Sequence, residues 1–312
     1  MNILSFSLLI IGLLPLGACM HQNKAKRASE AVAVKIGNLK NTYLYTKDVY
    51  GGSGPYREAD FEALHALEIE LIVSVDGAQP QLELAKKYGI RYVHIPISYN
   101  GVEAQAQAQL VKTFQQRKGP MYVHCHQGKH RGPAASMSLL IGAGVLNNKN
   151  ALRILKQVGT SKNYTGLYRD VKNAQRLNVE TIKNTPALQE YTKVSDLTAS
   201  MVQIELVWDH LRLAQQAGWG VPKDHPDIDP AHEALMLHEL FVELKRQDQA
   251  QQLNAEEART LGKFKTFLQQ SVDQSRTFEY AIRQKASASV IETNFTHLKQ
   301  SCYDCHQEFR DY

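Results

Sequence analysis

Strand-like runs alternate with helical stretches between residues 30 and 180. Three β-branched runs are typical of buried strands: ELIVSVD (70–76), RYVHIPI (91–97) and PMYVHC (120–125). Helical stretches lie between and after them: READFEALHALE, QLELAKKYG, AQAQAQLVKTFQQR, GPAASMSLLIGAG and NKNALRILKQVG. The alternation predicts an α/β domain over residues 30–180, with a mostly parallel sheet and helices on both faces.

From residue 195 to the end, the pattern is helical and no strand is convincing. Apolar residues recur at intervals of three and four in 201–214, 234–244 and 291–309, and a further helix begins near Asn254. These segments predict an all-α four-helix bundle over residues 195–312. A polar stretch near residues 180–195 joins it to the first domain, and the chain length of 312 residues suits two domains.

Charge divides the chain in the same place. The net charge of +5 combines about +10 for residues 1–190 with about −5 for residues 191–312. This asymmetry predicts two modules with different ligands, the basic one attracting small anions. Since no cluster of Lys and Arg is interleaved with aromatic residues, nucleic acid is not an expected partner.

The chain opens with an apolar run from Ile3 to Leu16, which is too short to span a bilayer and is typical of a signal peptide over residues 1–18. The sequence LGAC at 16–19 resembles the lipobox of bacterial lipoproteins, where cleavage leaves an acylated cysteine. The resemblance implies lipidation of Cys19 and a periplasmic protein anchored to a membrane by lipid. Met20 stands where inner-membrane lipoproteins tend to have aspartate, which favours the outer membrane.

Cys125 ends the third strand-like run, and the loop HQGKHR leads from it to Arg131 and a predicted helix. A helix N-terminus presents unpaired N–H groups that bind anions. A thiol there, beside Lys129 and Arg131, is favoured as the thiolate. Gly128 permits a sharp turn, and the planar fork of Arg131 matches two phosphate oxygens. The alternative is an inert buried thiol.

The segment from His124 to Arg131 resembles the H-C-x5-R signature of the dual-specificity and tyrosine phosphatases. The resemblance implies that Cys125 attacks the phosphorus of a phosphorylated substrate and forms a phosphocysteine that water hydrolyses. The implied phosphate-binding residues are those of the loop: His126, Gln127, Gly128, Lys129, His130 and Arg131. Sulfur transfer is less favoured, since rhodanese loops are usually one residue shorter. A metal held by His126 and His130 is a further alternative.

Two positions depart from that family. Gly132 stands where the family has Ser or Thr, which helps the thiolate leave. The general acid of the family is an aspartate about 30 residues before the cysteine, and here the nearest equivalent is Asn100. Glu103 and Asp76 are therefore the candidate acids. An anion-binding remnant without turnover is the alternative to an enzyme.

The sequence SCYDCHQEFRDY closes the chain with Cys302, Cys305 and His306 in C-x-x-C-H, the spacing that attaches a c-type haem. Both thiols fall on the apolar face of the last predicted helix. A disulfide or a zinc site is the alternative, although zinc needs four ligands and there is no second cysteine pair.

Four helices with this motif near the C-terminus resemble the cytochrome c′ family. The resemblance implies a covalent haem c, His306 as proximal iron ligand, Arg310 near the haem propionates, and a homodimer. The distal side is then empty or filled by a first-helix methionine, here Met201. Other helical histidines are further candidates for the sixth ligand: His210, His232 and His238.

Three functions remain open from the sequence. The first is phosphomonoester hydrolysis by Cys125 and Arg131. The second is a haem protein that transfers electrons to a periplasmic redox partner or binds a small gas, with a front domain that only binds anions. In the third, the state of the haem modulates the phosphatase.

Overall fold

The computed structural model describes residues 30–246 and 255–309, without the side chains of residues 255–258. The signal peptide, Cys19, Asn254 and Arg310 lie outside this range. None of the helices within it is long and apolar enough to cross a bilayer.

A six-stranded sheet forms the centre of the first domain, in the order β1-β2-β3-β6-β4-β5. Strands β3, β6, β4 and β5 are parallel, while β1, β2 and β3 pair antiparallel. The strands are β1 (Val32–Ala33), β2 (Tyr43–Leu44), β3 (Val49–Ser53), β4 (Leu71–Ser74), β5 (Arg91–His94) and β6 (Met121–Cys125). The mostly parallel sheet is as predicted.

Both faces of this sheet are buried, because side chains alternate along each strand. In β4, Leu71 and Val73 pack in the apolar core on one face of the sheet and Ile72 packs in the core on the other face. In β6, Val123 belongs to the first of these cores and Tyr122 to the second. In the described part of the chain, seven helices surround the sheet: α1 (Glu58–His65), α2 (Leu82–Lys87), α3 (Ala104–Gln116), α4 (Arg131–Gly142), α5 (Asn148–Gln157), α6 (Thr165–Asn173) and α7 (Val179–Lys183).

The polar stretch between the domains is bound to the edge strand β5. His94 donates its backbone N–H to the Gln189 carbonyl (2.9 Å), and Thr192 donates its backbone N–H to His94 Nδ1 (3.1 Å) and its hydroxyl to the His94 carbonyl (2.9 Å). The ring of Tyr191 stacks on that of His94, with centroids 5.6 Å apart. These contacts fix the point at which the second domain begins.

Over residues 196–246 and 255–309, the second domain consists of four helices: α8 (Asp196–Gln216), α9 (Pro230–Arg246), α10 (Ala255–Arg283) and α11 (Ala288–Phe309). Successive helices pack against one another. Ser195 caps α8 by accepting a hydrogen bond from the Thr198 backbone N–H. Trp208 and Phe295 stack in the core of this domain, with ring centroids 4.5 Å apart. The helical pattern predicted from residue 195 agrees with the structure over the residues described.

Strands β1, β2 and β3 were not predicted. The first two contain only two residues each, and β3 contains Gly51 and Gly52, which strands disfavour. The glycines are required by close packing, because an added Cβ at Gly52 would lie 2.3 Å from the Tyr122 hydroxyl and one at Gly51 would lie 2.6 Å from the Tyr45 ring.

Candidate active site

Cys125 is the last residue of the central strand β6, so it lies at the carboxyl edge of the sheet. Ser53, the last residue of β3, pairs with Cys125 in the parallel register. Cys125 is buried, with 3% of its surface exposed. The loop that follows turns back over β3 at Gly128, whose φ is +67°. A Cβ there would lie 2.2 Å from the Gly52 carbonyl carbon, so only glycine fits.

The carbonyl groups of the loop are bound from outside. His126 accepts from the Gly54 N–H (3.2 Å), Gln127 accepts from the Asn41 amide (2.7 Å), and Lys129 accepts from the Thr160 hydroxyl (2.9 Å). In a trans peptide the C=O and the next N–H point in opposite directions. The N–H groups after these carbonyls therefore point toward the interior of the loop, where they form a nest for an anion.

Arg131 opens α4 and closes this nest. Its Nε is buried and has no hydrogen-bond partner among the described residues. Its guanidinium carbon lies 4.6 Å from the centre of the Tyr99 ring. Burial acts to lower the pKa of Arg131, but the negative charges available on Tyr99, Cys125 and Asp76 raise it overall. Arg131 is thus a permanent cation with an unused donor, as a phosphate ligand requires.

An aromatic wall stands on one side of the loop. The rings of Tyr99 and Tyr164 have centroids 4.4 Å apart, and the His130 ring lies 4.7 Å from that of Tyr164. His130 Nδ1 also accepts the Ser161 backbone N–H at 3.2 Å. His130 is therefore held by neighbouring residues, and its backbone rather than its ring is available to the loop interior.

His124 directly precedes Cys125 in β6 and lies close to Asp76, with 3.9 Å between His124 Nδ1 and Asp76 Oδ2. The Tyr92 hydroxyl lies 2.5 Å from His124 Nε2, and burial lowers the pKa of His124 to about 4, so the imidazole is neutral near pH 7. Asp76 lies two residues after the end of β4 and is only 1% exposed. Its Oδ1 accepts the Ala78 backbone N–H at 2.8 Å, while its Oδ2 has no hydrogen-bond partner among the described residues.

The second domain reaches this site through α8. Asp209 Oδ2 lies 3.0 Å from His126 Nε2 and 2.9 Å from Gln127 Nε2. The Tyr56 hydroxyl lies 3.0 Å from the other ring nitrogen of His126. Burial acts to lower the pKa of His126, but the carboxylates of Asp209, Glu205 and Asp76 raise it overall. The side chains of His126 and Gln127 thus face α8, and these residues can bind phosphate through their backbone N–H groups.

Glu103 is exposed at the N-cap position of α3. In the described residues, no contact of its side chain joins it to the loop. The neighbouring Asn100 is held at its carbonyl by Arg169 (2.8 Å). The structure therefore brings Asp76 to the site more closely than Glu103, and the assignment of the acid stays a prediction for both.

The C-x-x-C-H residues lie in the last helix, α11. Cys302 and Cys305 are free thiols, and burial raises their pKa values to about 12 and about 11. Cys305 belongs to the core of the helical domain and Cys302 packs against it. Met201 packs against the same core, while His210 and His238 contact Glu233 and Ser275. Within the described ranges, no three His, Cys, Asp or Glu side chains are grouped to hold a metal ion.

A buried thiol at the end of a central parallel strand, a loop whose carbonyls are bonded outward and a buried arginine are typical of the class of cysteine-dependent phosphatases. Residues 40–181 match the family model "PTP-SAK: Swiss Army Knife protein, DSP-PTPase phosphatase domain". Residues 40–181 are thus a DSP-PTPase-like phosphatase domain. A comparison with curated protein sequences finds no match.

Comparison with solved structures finds several phosphatases of low identity that match part of this chain. TpbA of P. aeruginosa is 18% identical, with a TM-score of 0.41 over 50% of this chain and 94% of its own. The core catalytic domain of the PP-IP phosphatase SIW14 of S. cerevisiae is 18% identical, with a TM-score of 0.40 over 50% and 99%. A putative phosphatase (DUF442) of Shewanella putrefaciens CN-32 is 15% identical, with a TM-score of 0.36 over 45% and 96%. The class itself rests on the family match and the loop geometry.

Several residues of the site were not predicted: Tyr56, Tyr99, Tyr164, Glu205 and Asp209. Tyr99 adjoins Asn100 in a segment that the spacing had already indicated, so its aromatic ring was a usable signal. The carboxylates of α8 gave no local signal, because they follow the cysteine by about eighty residues and belong to the other domain.

Proposed function

We propose that this protein hydrolyses phosphomonoesters through a phosphocysteine formed on Cys125. The observation that supports this most directly is the loop between β6 and α4, with its carbonyls bonded outward and Arg131 Nε without a partner in the described structure. Such a site takes a dianionic phosphate at the carboxyl edge of the sheet. TpbA of P. aeruginosa has been crystallised in complex with pTyr, and an aryl phosphate is a suitable first substrate.

The reaction divides into two displacements at phosphorus. The thiolate of Cys125 attacks, the bond to the leaving oxygen breaks, and Arg131 and the loop N–H groups hold the equatorial oxygens. Water then attacks the phosphocysteine, the P–S bond breaks and inorganic phosphate leaves. Gly132 contributes no hydroxyl to assist the departing thiolate, so the second displacement is expected to be the slower one.

The test is phosphate release from an aryl phosphate, with Cys125→Ser beside the natural protein. We expect the variant to lose activity to the assay background, because a serine hydroxyl is a poor nucleophile without a base. Cys302→Ser serves as the matched control and is expected to retain hydrolysis. Equal activity in the natural protein and Cys125→Ser would refute the assignment, and no hydrolysis in either would favour an anion-binding remnant.

We propose further that the helical domain carries a covalent haem c. The donor set fits: Cys302 and Cys305 are reduced thiols on the core side of α11, and His306 follows directly. Thioether bonds at the two cysteines would hold the porphyrin against apolar side chains, and His306 would bind the iron. Such a haem supplies one-electron transfer or the binding of a small gas.

A haem stain after denaturing electrophoresis tests this proposal in a strain competent for c-type maturation. We expect a stained band at the mass of the chain, which disappears on joint replacement of Cys302 and Cys305 by alanine. Cys125→Ser is expected to keep the stain, because its thiol lies in the other domain. An unstained natural protein would remove the haem proposal and leave the phosphatase proposal intact.

The apolar leader and the LGAC sequence support a location at the periplasmic face of a membrane, with a lipid on Cys19. Incorporation of labelled palmitate should therefore depend on Cys19. A Cys19→Ser variant that is still labelled and still fractionates with membranes would contradict this anchor.

A further inference from the structure

The helix α8 presents one face to the phosphatase domain while its other face completes the helical core. Leu211 and Ala214 are buried in that core. On the opposite side, an added Cβ at Gly77 would lie 2.6 Å from Thr198 Cγ2 and 3.4 Å from Val202 Cγ2. The N-terminal half of α8 therefore lies against the residue that follows Asp76, at the carboxyl end of β4.

The second contact made by this face of α8 is that of Asp209 with the loop that follows β6. Residues 198, 202, 205 and 209 fall within one narrow stripe of a helix with 3.6 residues per turn. Since β4 and β6 are neighbours in the sheet, α8 spans the crevice between their carboxyl ends. Glu205 lies on α8 between the contact at Gly77 and the contact of Asp209, and it faces that crevice.

The charges around Glu205 agree with this placement. It is half-buried, and its charge contributes to the raised pKa values of Tyr56, His126 and Arg131. Asp209 is one turn further along the same helix, and the His126 hydrogen bond holds its pKa low against the opposing effect of burial. Among the described residues, the groups on which the charge of Glu205 acts are Tyr56, His126 and Arg131, and Asp209 lies one turn away on α8.

We propose that Glu205, on the helical domain, is the general acid of the phosphatase reaction, and that Asp209 positions it by fixing α8 on the loop. This assignment rests on the proposed phosphatase activity. As Cys125 attacks phosphorus, the Glu205 carboxyl gives its proton to the leaving oxygen, which departs as an alcohol. The resulting carboxylate then takes a proton from the water that attacks the phosphocysteine, and the thiolate leaves. The protonated acid is thereby restored.

Among the described residues of the phosphatase domain, the candidate general acids are less well placed than Glu205. The segment that would hold an acid has Asn100, which cannot donate a proton as a carboxylic acid, and Glu103 is exposed without a described side-chain contact to the loop. Asp76 is near but almost completely buried, and its Oδ1 is held by the Ala78 N–H. A half-buried carboxylate at the crevice reaches a leaving group more directly than one that is almost completely buried.

The test compares Glu205→Gln with the full-length natural protein on a series of aryl phosphates of increasing leaving-group pKa. A general acid contributes on the order of 10²- to 10⁴-fold. We expect a loss of that size for phenyl phosphate and a much smaller loss for 4-nitrophenyl phosphate, whose leaving group needs little protonation. The pH profile of kcat/KM should also differ in the variant, because the group that donates the proton to the leaving oxygen is absent.

Glu243→Gln is the matched control, because Glu243 is an exposed residue of α9. It should leave the rates and the pH profile unchanged. Glu205→Asp keeps a carboxyl group and should recover part of the loss on phenyl phosphate, which separates lost acid catalysis from misfolding. A leaving-group series for Glu205→Gln parallel to that of the natural protein would overturn the proposal.

Two further outcomes would also overturn it. In one, the selective loss on phenyl phosphate occurs in Asp76→Asn or Glu103→Gln and not in Glu205→Gln. In the other, hydrolysis by the natural protein does not depend on Cys125, and this result would remove the phosphatase proposal as well. The Cys125→Ser assay therefore distinguishes failure of the whole activity from failure of the acid.

Discussion

The buried imidazole of His124 is neutral in the folded protein near pH 7, and His124 directly precedes Cys125. Burial lowers its pKa to about 4, and the Tyr92 hydroxyl occupies its Nε2. A neutral histidine beside Cys125 does not add to the positive charge of the site. The attraction for phosphate therefore comes from Arg131 and from the N–H groups of the loop.

This histidine makes the folded domain sensitive to acid. The unfolded chain binds a proton near pH 6.5 and the folded chain only near pH 4, so the free energy of unfolding falls as pH decreases between those values. The expected loss is about 2 kcal/mol by pH 5. Burial of His94 lowers its pKa and acts in the same direction.

Urea unfolding at pH 7 and pH 5, followed in β6 by pulsed hydrogen exchange, measures this effect. In His124→Gln the difference between the two pH values should be smaller by about that amount. Replacement of the exposed His297 by glutamine should leave the difference as it is in the natural protein. An unchanged difference in His124→Gln would show that other groups carry the acid sensitivity.

At the residue scale, the phosphate loop could be predicted because its signals are local. Gly128 was predicted to make a sharp turn from its place in the loop alone, and the structure gives it a φ of +67°. Glu205 could not be found in that way, because its role depends on how one helix lies on another domain. Sequence periodicity places it on α8 without indicating what that face contacts.

At the scale of elements, α8 is held from both sides. Its core face packs in the helical domain, and Asp209 contacts His126 and Gln127 of the phosphate loop. The three central strands could be predicted from β-branched runs. The antiparallel part of the sheet could not, because β1 and β2 are short and the glycines of β3 conceal a strand.

The contact between α8 and the loop predicts a shift in the titration of His126. The Asp209 carboxylate contributes to the raised pKa of His126, so Asp209→Asn should lower that pKa. Nuclear magnetic resonance of the imidazole protons measures it directly. Asp273→Asn, an exposed change on α10, should leave the His126 titration where it is. An unaltered pKa in Asp209→Asn would mean that α8 is not docked on the loop in solution.

At the scale of the whole molecule, each domain has a core of its own. The sheet separates two apolar clusters in the phosphatase domain, and a third lies among the four helices. The described connections between the domains include the linker bound to β5, the contact of Asp209 on α8 with the loop, and the approach of α8 to Gly77. Composition and charge indicated two modules, but they carried no information about this contact.

Separate cores predict separate unfolding. Both tryptophans, Trp208 and Trp219, lie in the helical domain, so their fluorescence reports on that domain alone. Hydrogen exchange in β6 reports on the other domain. We expect the two signals to change at different urea concentrations, as is usual for chains with two cores. Coincident transitions in the natural protein would instead indicate that the α8 contact joins the domains into one cooperative unit.

The position of α8 bears on how such a chain is divided for study. The family match ends at residue 181, and a fragment cut there keeps Cys125, the loop and Arg131. It also discards the helix that contacts His126 and Gln127, so the phosphate site would be assayed with one wall missing. A low rate measured with that fragment would result from the removal of α8 and would not report the activity of the full-length protein. The natural boundary of the phosphatase site includes the first helix of the neighbouring domain.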